Sequence, residues 1–431
     1  MSRCATNKEA WQLLFEKYKI LEEINKNGYF KITAKQINEY REARLMTKFD
    51  NSANLPELFK DNNLAILPIT SNSYMIAKFQ TYQEFEKTED EEIIKINFPE
   101  YIQSLDYNNI TSEALAINCA YITQILENFL DEEDLVPTIS GKMGSGNFEF
   151  KINKNEGENE YINVAVQNSR IEIDGGFEGV NSLALIEAKN VISDDFMVRQ
   201  LYYPYRLWKS KINKPVRPIY IVYSNGIFNV YEYNFEDDED YSSIKFVKSK
   251  KYSIEDTDIE ITDIEDIFNN IKTFSKEPKI AFPQADSFER VINLCELLAE
   301  EPRNKNEITE NYAFDERQTN YYTDAGRYLG LISKERKDGN IIFNLTDTGR
   351  KILKLRYKQR QLEYVKLILK HKAFYEYLKL YFERAEKPLI IDTVEIMKNS
   401  DLYNIKSDST YKRRSSTIRG WIEWIIELTR F

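Results

Sequence analysis

A single histidine, His371, serves a chain of 431 residues. That scarcity excludes mechanisms needing two histidines in one chain: histidine–metal nucleases, paired His-Lys motifs of phospholipase type and ribonuclease-like histidine pairs. His371 stands between lysines in a helical stretch and is expected to be solvated. Cysteine is nearly as scarce. Cys4, Cys119 and Cys295 lie far apart, which leaves neither a disulfide framework nor a zinc knuckle, and Cys119 and Cys295 occupy apolar-periodic helix positions that read as core. No apolar run approaches the roughly 20 residues of a membrane span. Residues 1–8 lead into no apolar signal core, so a cytoplasmic protein without membrane contact is expected. Positive charge is in deficit too, the formal net charge being −11. This argues at first sight against a nucleic-acid partner, because phosphate affinity comes from Lys and Arg. The acid is concentrated, however, in residues 236–240 and 254–266. Basic clusters elsewhere therefore keep locally positive fields.

The length accommodates two to four domains with real cores, and aromatic residues are abundant, with 29 tyrosines and 24 phenylalanines. The stretch that organises the chain is Ile171-Glu172-Ile173-Asp174-Gly175-Gly176-Phe177, followed by Leu183-Ala184-Leu185-Ile186-Glu187-Ala188-Lys189. Both runs carry strand residues, and the glycines predict a hairpin or tight turn between them. Strand alternation puts Glu187 and Lys189 on one face, Ile186 and Ala188 on the other. Two carboxylates beside a lysine on an apolar sheet are costly to desolvate unless they bind something charged. A divalent cation answers that need, and hard oxygen ligands suit Mg²⁺.

Asp174, twelve residues, then Glu187-Ala188-Lys189 resembles the PD-(D/E)XK nuclease signature, and the surroundings are similar to the catalytic core of type II restriction endonucleases. The helix-like run 111–130, the Gly-rich segment 137–148 and residues 199–206 after the second catalytic strand add to the likeness; Ile173 stands where the family usually has proline. The resemblance implies an α/β/α core with a mixed sheet. It implies a Mg²⁺-dependent, sequence-specific endonuclease of double-stranded DNA, leaving 5′-phosphates. Asp174, Glu187 and the Ala188 carbonyl would hold the metal, and Lys189 would position the attacking water. Gln200 and Tyr203 become accessory candidates, with helix packing the competing reading for Tyr203. Glu113 or Glu127 on the preceding helix could add a ligand, and spacing does not choose between them. A homodimer, or sequential nicking by a monomer, would meet the need for two strand scissions. The same likeness implies a cognate methyltransferase acting on the same DNA site. The alternative is a non-cleaving DNA-binding regulator or defence protein with a degenerate nuclease core.

The expected fold class is mixed α/β (α+β), in four parts. Residues 1–108 form an α+β domain: an amphipathic helix over residues 9–24, a helix capped by Thr33, and a strand pair at 64–69 and 74–79. Arg41, Arg44 and Lys48 form a basic, amide-rich connection there, suited to phosphates and base edges, or else a solvated helix end. Residues 109–280 form the nuclease domain. A helix is capped by Thr111 or Ser112, with strands at 148–152, 161–174 and 182–189, a helix at 195–209, and two strands about Asn225-Gly226. Lys142 in the Gly-rich loop is a DNA-contact candidate. Residues 281–360 look like a winged helix: three helices, then a basic hairpin around Asp338-Gly339, with Arg317, Gln318 and Asn320 leading the third helix toward a major groove. Residues 361–431 read as helical, with a second winged-helix-like pattern. There Lys412, Arg413 and Arg414 are further DNA candidates, and Trp421, Trp424, Ile425 and Leu428 form a core stripe.

Overall fold

In the computed structural model, residues 6–86, 92–155, 160–337 and 339–429 are described; Cys4 and Asp338 lie outside them. The architecture is mixed α/β, with helices packed around several sheets. At its centre is a seven-stranded sheet in the order Ile93–Lys95, Ile244–Ser253, Ile227–Phe235, Val216–Ser224, Leu183–Lys189, Arg170–Glu178, Val136–Gly144. Leu183–Lys189 lies inside it, antiparallel to Arg170–Glu178 and parallel to Val216–Ser224. Both faces of this strand are covered, which is why its sequence reads as a continuous apolar run ended by charge. Ala184, Ile186 and Ala188 pack with Ile117, Cys119 and Ala120 of the helix Glu113–Ile122. Leu183 and Leu185 pack with Leu201, Tyr202 and Tyr203 of the helix Arg199–Lys209.

Several local expectations are corrected at glycines and left-handed residues. Gly175 and Gly176 do not turn the chain; both lie inside Arg170–Glu178, paired with Ile186 and Leu185. A Cβ at Gly176 would sit 2.7 Å from Ile139 Cβ, and one at Gly175 would meet Phe177 and Ile117 at 3.0 and 3.3 Å, so these glycines admit neighbours rather than bend backbone. The chain instead turns at residues 179–182, where Gly179 N–H donates to Ser182 O. The Gly-rich segment is the edge strand Val136–Gly144, not a loop. The run 161–174 is two strands, Tyr161–Gln167 and the start of Arg170–Glu178, broken where Asn168 takes φ 49°. Residues 195–197 pair as a short strand with Tyr82–Glu84, and the helix starts only at Arg199. The first helix is likewise divided, into Asn7–Tyr18 and Ile20–Asn27, by Lys19 at φ 49°.

A five-stranded sheet, in the order Tyr29–Thr33, Ser73–Ala77, Ala65–Thr70, Tyr161–Gln167, Asn147–Asn153, joins the N-terminal strands to a hairpin inserted between two strands of the central sheet. It runs across the division expected at residue 108. Ala65, Leu67, Ile69, Met75 and Ala77 share one core with Phe150, Val164 and Tyr203. Thr33 caps Ala34–Ile37 in a reciprocal arrangement with Gln36, and Ser112 caps Glu113–Ile122 through Leu115 N–H.

Beyond residue 283 come the helices Phe288–Glu300, Lys305–Asn311 and Glu316–Tyr328, with a three-stranded sheet of Arg303–Asn304, Asn340–Leu345 and Ile332–Lys337. After Leu345 the described residues form helices only, including Ile390–Lys398 and Asp408–Glu427, so the second winged-helix-like pattern is absent there. Trp421, Trp424, Ile425 and Leu428 are buried as expected, as are Cys119 and Cys295. His371 is not solvated. It is 6% exposed, at the N-terminus of the helix Lys372–Arg384, because its ring stacks on Tyr328 at 4.3 Å between ring centroids and its Nδ1 lies 3.1 Å from Glu277 Oε1.

The Gly176 contact is testable. Gly176→Ala forces the two strands apart at a backbone-anchored atom and should cost about 1–3 kcal/mol, read as a lowered denaturant midpoint; an unchanged midpoint would refute this packing.

Candidate active site

Pairing between Arg170–Glu178 and Leu183–Lys189 ends at Gly175 and Ile186. Just beyond, the two strands part, and the Asp174 carboxylate replaces the ladder: its Oδ2 accepts the Ala188 N–H at 2.9 Å. This bond fixes Asp174 against the Glu187-Ala188-Lys189 backbone. Lys189 Nζ donates to Glu187 Oε1 at 2.5 Å and to Ala188 O at 3.1 Å. Gln200, at the start of the helix Arg199–Lys209, donates from Nε2 to the same Glu187 oxygen at 2.5 Å. Glu113, first residue of the opposite helix, lies 3.6 Å from Lys189 Nζ.

Burial dominates the electrostatics. It pushes the Glu187 carboxyl from 4.5 up to about 8, with Lys189 working against the rise and Asp174 adding to it. Burial raises Glu113 as well, again opposed by Lys189 and aided by Asp174. Burial acts against charge on Lys189, but the Glu187 field outweighs it and holds the ammonium well above its ordinary range. The cluster thus sets carboxyls whose ionisation burial opposes around one ammonium.

Asp50 was not singled out in the sequence, yet its field acts on Glu187, Lys189 and Glu113. It is carried there by the backbone. Met197 N–H donates to Asp50 O at 2.8 Å, Ser52 N–H to Asp195 Oδ1 at 2.8 Å, and Tyr82 OH to Phe49 O at 3.0 Å. Only a tertiary contact brings Asp50 here, and the signal nearest to it, the basic connection around Arg44 and Lys48, pointed to a different role.

The donor set fits a hard divalent cation in chemistry. Two carboxylates and a backbone carbonyl are the oxygen ligands Mg²⁺ accepts, with water filling the remainder. Lys189 Nζ rests on Glu187 Oε1 and Ala188 O, two of these three donors, so a positive charge is already favoured at that spot. Gln200 Oε1 is buried without a partner beside them. Among the described residues no group of three or more His, Cys, Asp or Glu side chains is arranged to hold a metal, so any cation here relies on two carboxylates, the Ala188 carbonyl and solvent.

Other candidates are placed elsewhere. Tyr203 is fully buried and donates to Pro68 O at 3.0 Å, a packing role that does not reach the cluster. Arg41 forms a two-pronged pair with Glu310, both bonds 2.9 Å, tying the N-terminal region to the helix Lys305–Asn311. Lys48 lies 3.6 Å from Asp50, while Arg44 stays exposed. Lys142 is an exposed strand residue 3.7 Å from Glu172. Gln318 is committed to the cap of Glu316–Tyr328, accepting from Asp315 N–H, whereas Arg317 and Asn320 are exposed on that helix. Lys412 and Arg413 are exposed on Asp408–Glu427; Arg414 turns inward, and burial, with Arg413 beside it, lowers its pKa.

Residues 77–253, which include the cluster, match a family described as a domain of unknown function, DUF6997. Residues 290–430 match a second such family, DUF7226, and residues 8–76, which include Asp50, a third, DUF6996. No curated protein and no solved structure matches the chain.

A carboxyl whose folded pKa is raised contributes stability below its unfolded value that is lost as pH rises through the folded one. With Glu187 at about 8, that loss falls between pH 4.5 and 8. Lys189→Met removes the group that opposes the rise, so the melting temperature should go on falling above pH 8, where the wild-type contribution levels off, by on the order of 3 °C more. Mg²⁺ or Mn²⁺ should raise the melting temperature of the wild type by mass action and not that of Asp174→Asn. Parallel pH curves, or an equal cation response in both proteins, would contradict the site.

Proposed function

We propose that the chain is a Mg²⁺-dependent, sequence-specific endonuclease of double-stranded DNA, of type II restriction kind, with a PD-(D/E)XK core. The observation that carries the reading is the Asp174–Ala188 bond, which brings one acidic strand against the Glu187-Ala188-Lys189 segment of its neighbour. Support comes also from the order of elements: a helix, antiparallel strands, a second helix, then Val216–Ser224 returning parallel to Leu183–Lys189, with one helix on each face.

Asp174, Glu187 and the Ala188 carbonyl would hold Mg²⁺, which when bound polarises the phosphoryl group and lowers the pKa of a coordinated water. Gln200 fixes the Glu187 carboxylate. Lys189, released from Glu187, holds the attacking water and then offsets charge developing on phosphorus. Water adds to phosphorus as the bond to the 3′-oxygen breaks, leaving a 5′-phosphate and a 3′-hydroxyl. Glu113, close to Lys189, keeps that ammonium charged.

The three helices and small sheet after residue 283 read as a winged helix, with Glu316–Tyr328 entering a major groove and Arg317 and Asn320 facing the bases. Lys412 and Arg413 would reach the backbone from the neighbouring helix. A homodimer would supply the second cut, and a methyltransferase modifying the same site would protect host DNA. The second reading, a non-cleaving DNA-binding protein, is favoured by one feature: the Lys189 ammonium already seated on two of the metal donors.

Unmethylated phage DNA incubated with the protein and Mg²⁺ should give discrete fragments with 5′-phosphate ends. Asp174→Asn should lower cleavage at least about a hundredfold while binding in chelator persists. Undiminished cleavage by the variant would refute the site; wild-type protein that binds and never cuts would leave the second reading.

A further inference from the structure

The parallel pairing of Leu183–Lys189 with Val216–Ser224 ends at Lys189 and Val222. The chain that leaves Lys189 must then satisfy its backbone elsewhere, because a buried N–H or carbonyl without a partner is costly. A side chain from the C-terminal helices supplies what the neighbouring strand no longer does. Asn293, on the helix Phe288–Glu300 and 3% exposed, donates from Nδ2 to Asn190 O at 2.7 Å and accepts the Ile192 N–H on Oδ1 at 3.0 Å. One amide, with a donor and an acceptor on the same group, thus pairs with the main chain on both sides of Val191 as a peptide unit would.

The amide is itself held. Its Nδ2 also reaches Ser224 Oγ at 3.1 Å and Glu296 Oε2 at 3.2 Å, and Glu296 accepts from Ser224 Oγ at 2.6 Å and from Asn225 N–H at 2.8 Å. Nearly one turn earlier, Arg290 Nη2 lies 3.5 Å from Asp194 Oδ2. Arg290, Asn293 and Glu296 are spaced three apart, so one face of this helix grips both the loop after Lys189 and the end of the neighbouring strand. The loop is anchored by its own side chains as well: Val191 packs against the C-terminal core, and Ile192 against the core that includes Leu201 and Tyr202.

The importance of this loop lies in what it joins. Lys189 and the Ala188 carbonyl stand at its start, and Gln200, which holds Glu187, follows it on the helix Arg199–Lys209. The Asp174 bond to Ala188 N–H fixes the segment from the side of Arg170–Glu178, while on the other side the strand ladder stops at Lys189. We propose that Asn293 is a positioning residue for the acidic cluster: through the loop 190–194, the C-terminal helices set where Lys189 and the Ala188 carbonyl stand. A displacement of about 1 Å at reacting groups costs about a hundredfold in rate, so a hold of this kind reaches the chemistry without touching it.

Asn293→Leu keeps the volume and removes both main-chain bonds, whereas Leu298→Val loosens the same helix on its core side. The full chain is measured at the same interval below each melting temperature. In chelator, amide exchange of the segment 186–192 should be about tenfold or more faster in Asn293→Leu than in the wild type, and unchanged in Leu298→Val. With Mg²⁺ and duplex DNA, kcat should fall about tenfold or more in Asn293→Leu while KM stays within about twofold, and Leu298→Val should keep the wild-type kcat. Should Asn293→Leu not fold, Asn293→Ala takes its place. Wild-type exchange in the Asn293 variant, or an equal rise in Leu298→Val, would overturn the proposal, and so would an unchanged kcat where the wild type cuts. As a statement about catalysis it rests on the nuclease reading; wild-type protein that never cuts removes that reading, and the exchange result then decides this one alone.

Discussion

The bond from Ala188 N–H to Asp174 is the constraint on which the candidate site depends. Two neighbouring strands that must separate leave backbone groups without a ladder, and a buried unpaired N–H is costly. Here a side-chain carboxylate takes the donor instead. The substitution holds the strands apart at a fixed distance and brings an acid to the main chain of the next acidic segment. Gly175 and Gly176, just after Asp174, let the helix Glu113–Ile122 and the edge strand Val136–Gly144 approach closely enough to bury the rest of the strand. The charge that results is held in place by packing, not by favourable solvation.

That packing is drawn from distant parts of the chain. The segment around Asp50 is clamped to the start of the helix carrying Gln200 by the Met197 N–H to Asp50 O bond and by the Ser52 N–H to the Asp195 carboxylate. The same N-terminal region grips the C-terminal part. Arg41 pairs with Glu310, and Asn54 Nδ2 donates to Thr309 O at 2.9 Å and to Tyr312 O at 2.5 Å. Those contacts lie immediately before Glu316–Tyr328, the helix assigned to base reading in the proposed function. One short stretch therefore lies between the acidic cluster and the helix Glu316–Tyr328, and a shift of that helix has a direct mechanical route to Asp50.

Much of this was legible in the sequence because it is written locally. The apolar run ended by Glu187-Ala188-Lys189, the Asn225-Gly226 turn and the caps at Thr33 and Ser112 depend on neighbours in the chain, and each is found where the pattern placed it. Long-range pairing was not legible. Gly175-Gly176 has the composition of a turn, and only the closeness of Ile139 and Ile117 explains it within a strand. The Arg41 pair with Glu310 is remote in sequence, and His371 looked solvated because its burial comes from Tyr328 and Glu277, equally remote. Asp50 carries no local signature. Its relevance exists only once the fold is assembled.

The five-stranded sheet has a consequence for how the protein can be divided. Its hydrophobic layer mixes residues from before Ala77 with residues from the hairpin at 147–167, so a fragment starting near residue 77 would present the flank of Tyr161–Gln167 and its inner face to water. A recombined or truncated protein lacking its first seventy-odd residues would inherit a sticky edge along with the strands of the acidic cluster, and insolubility would eliminate it.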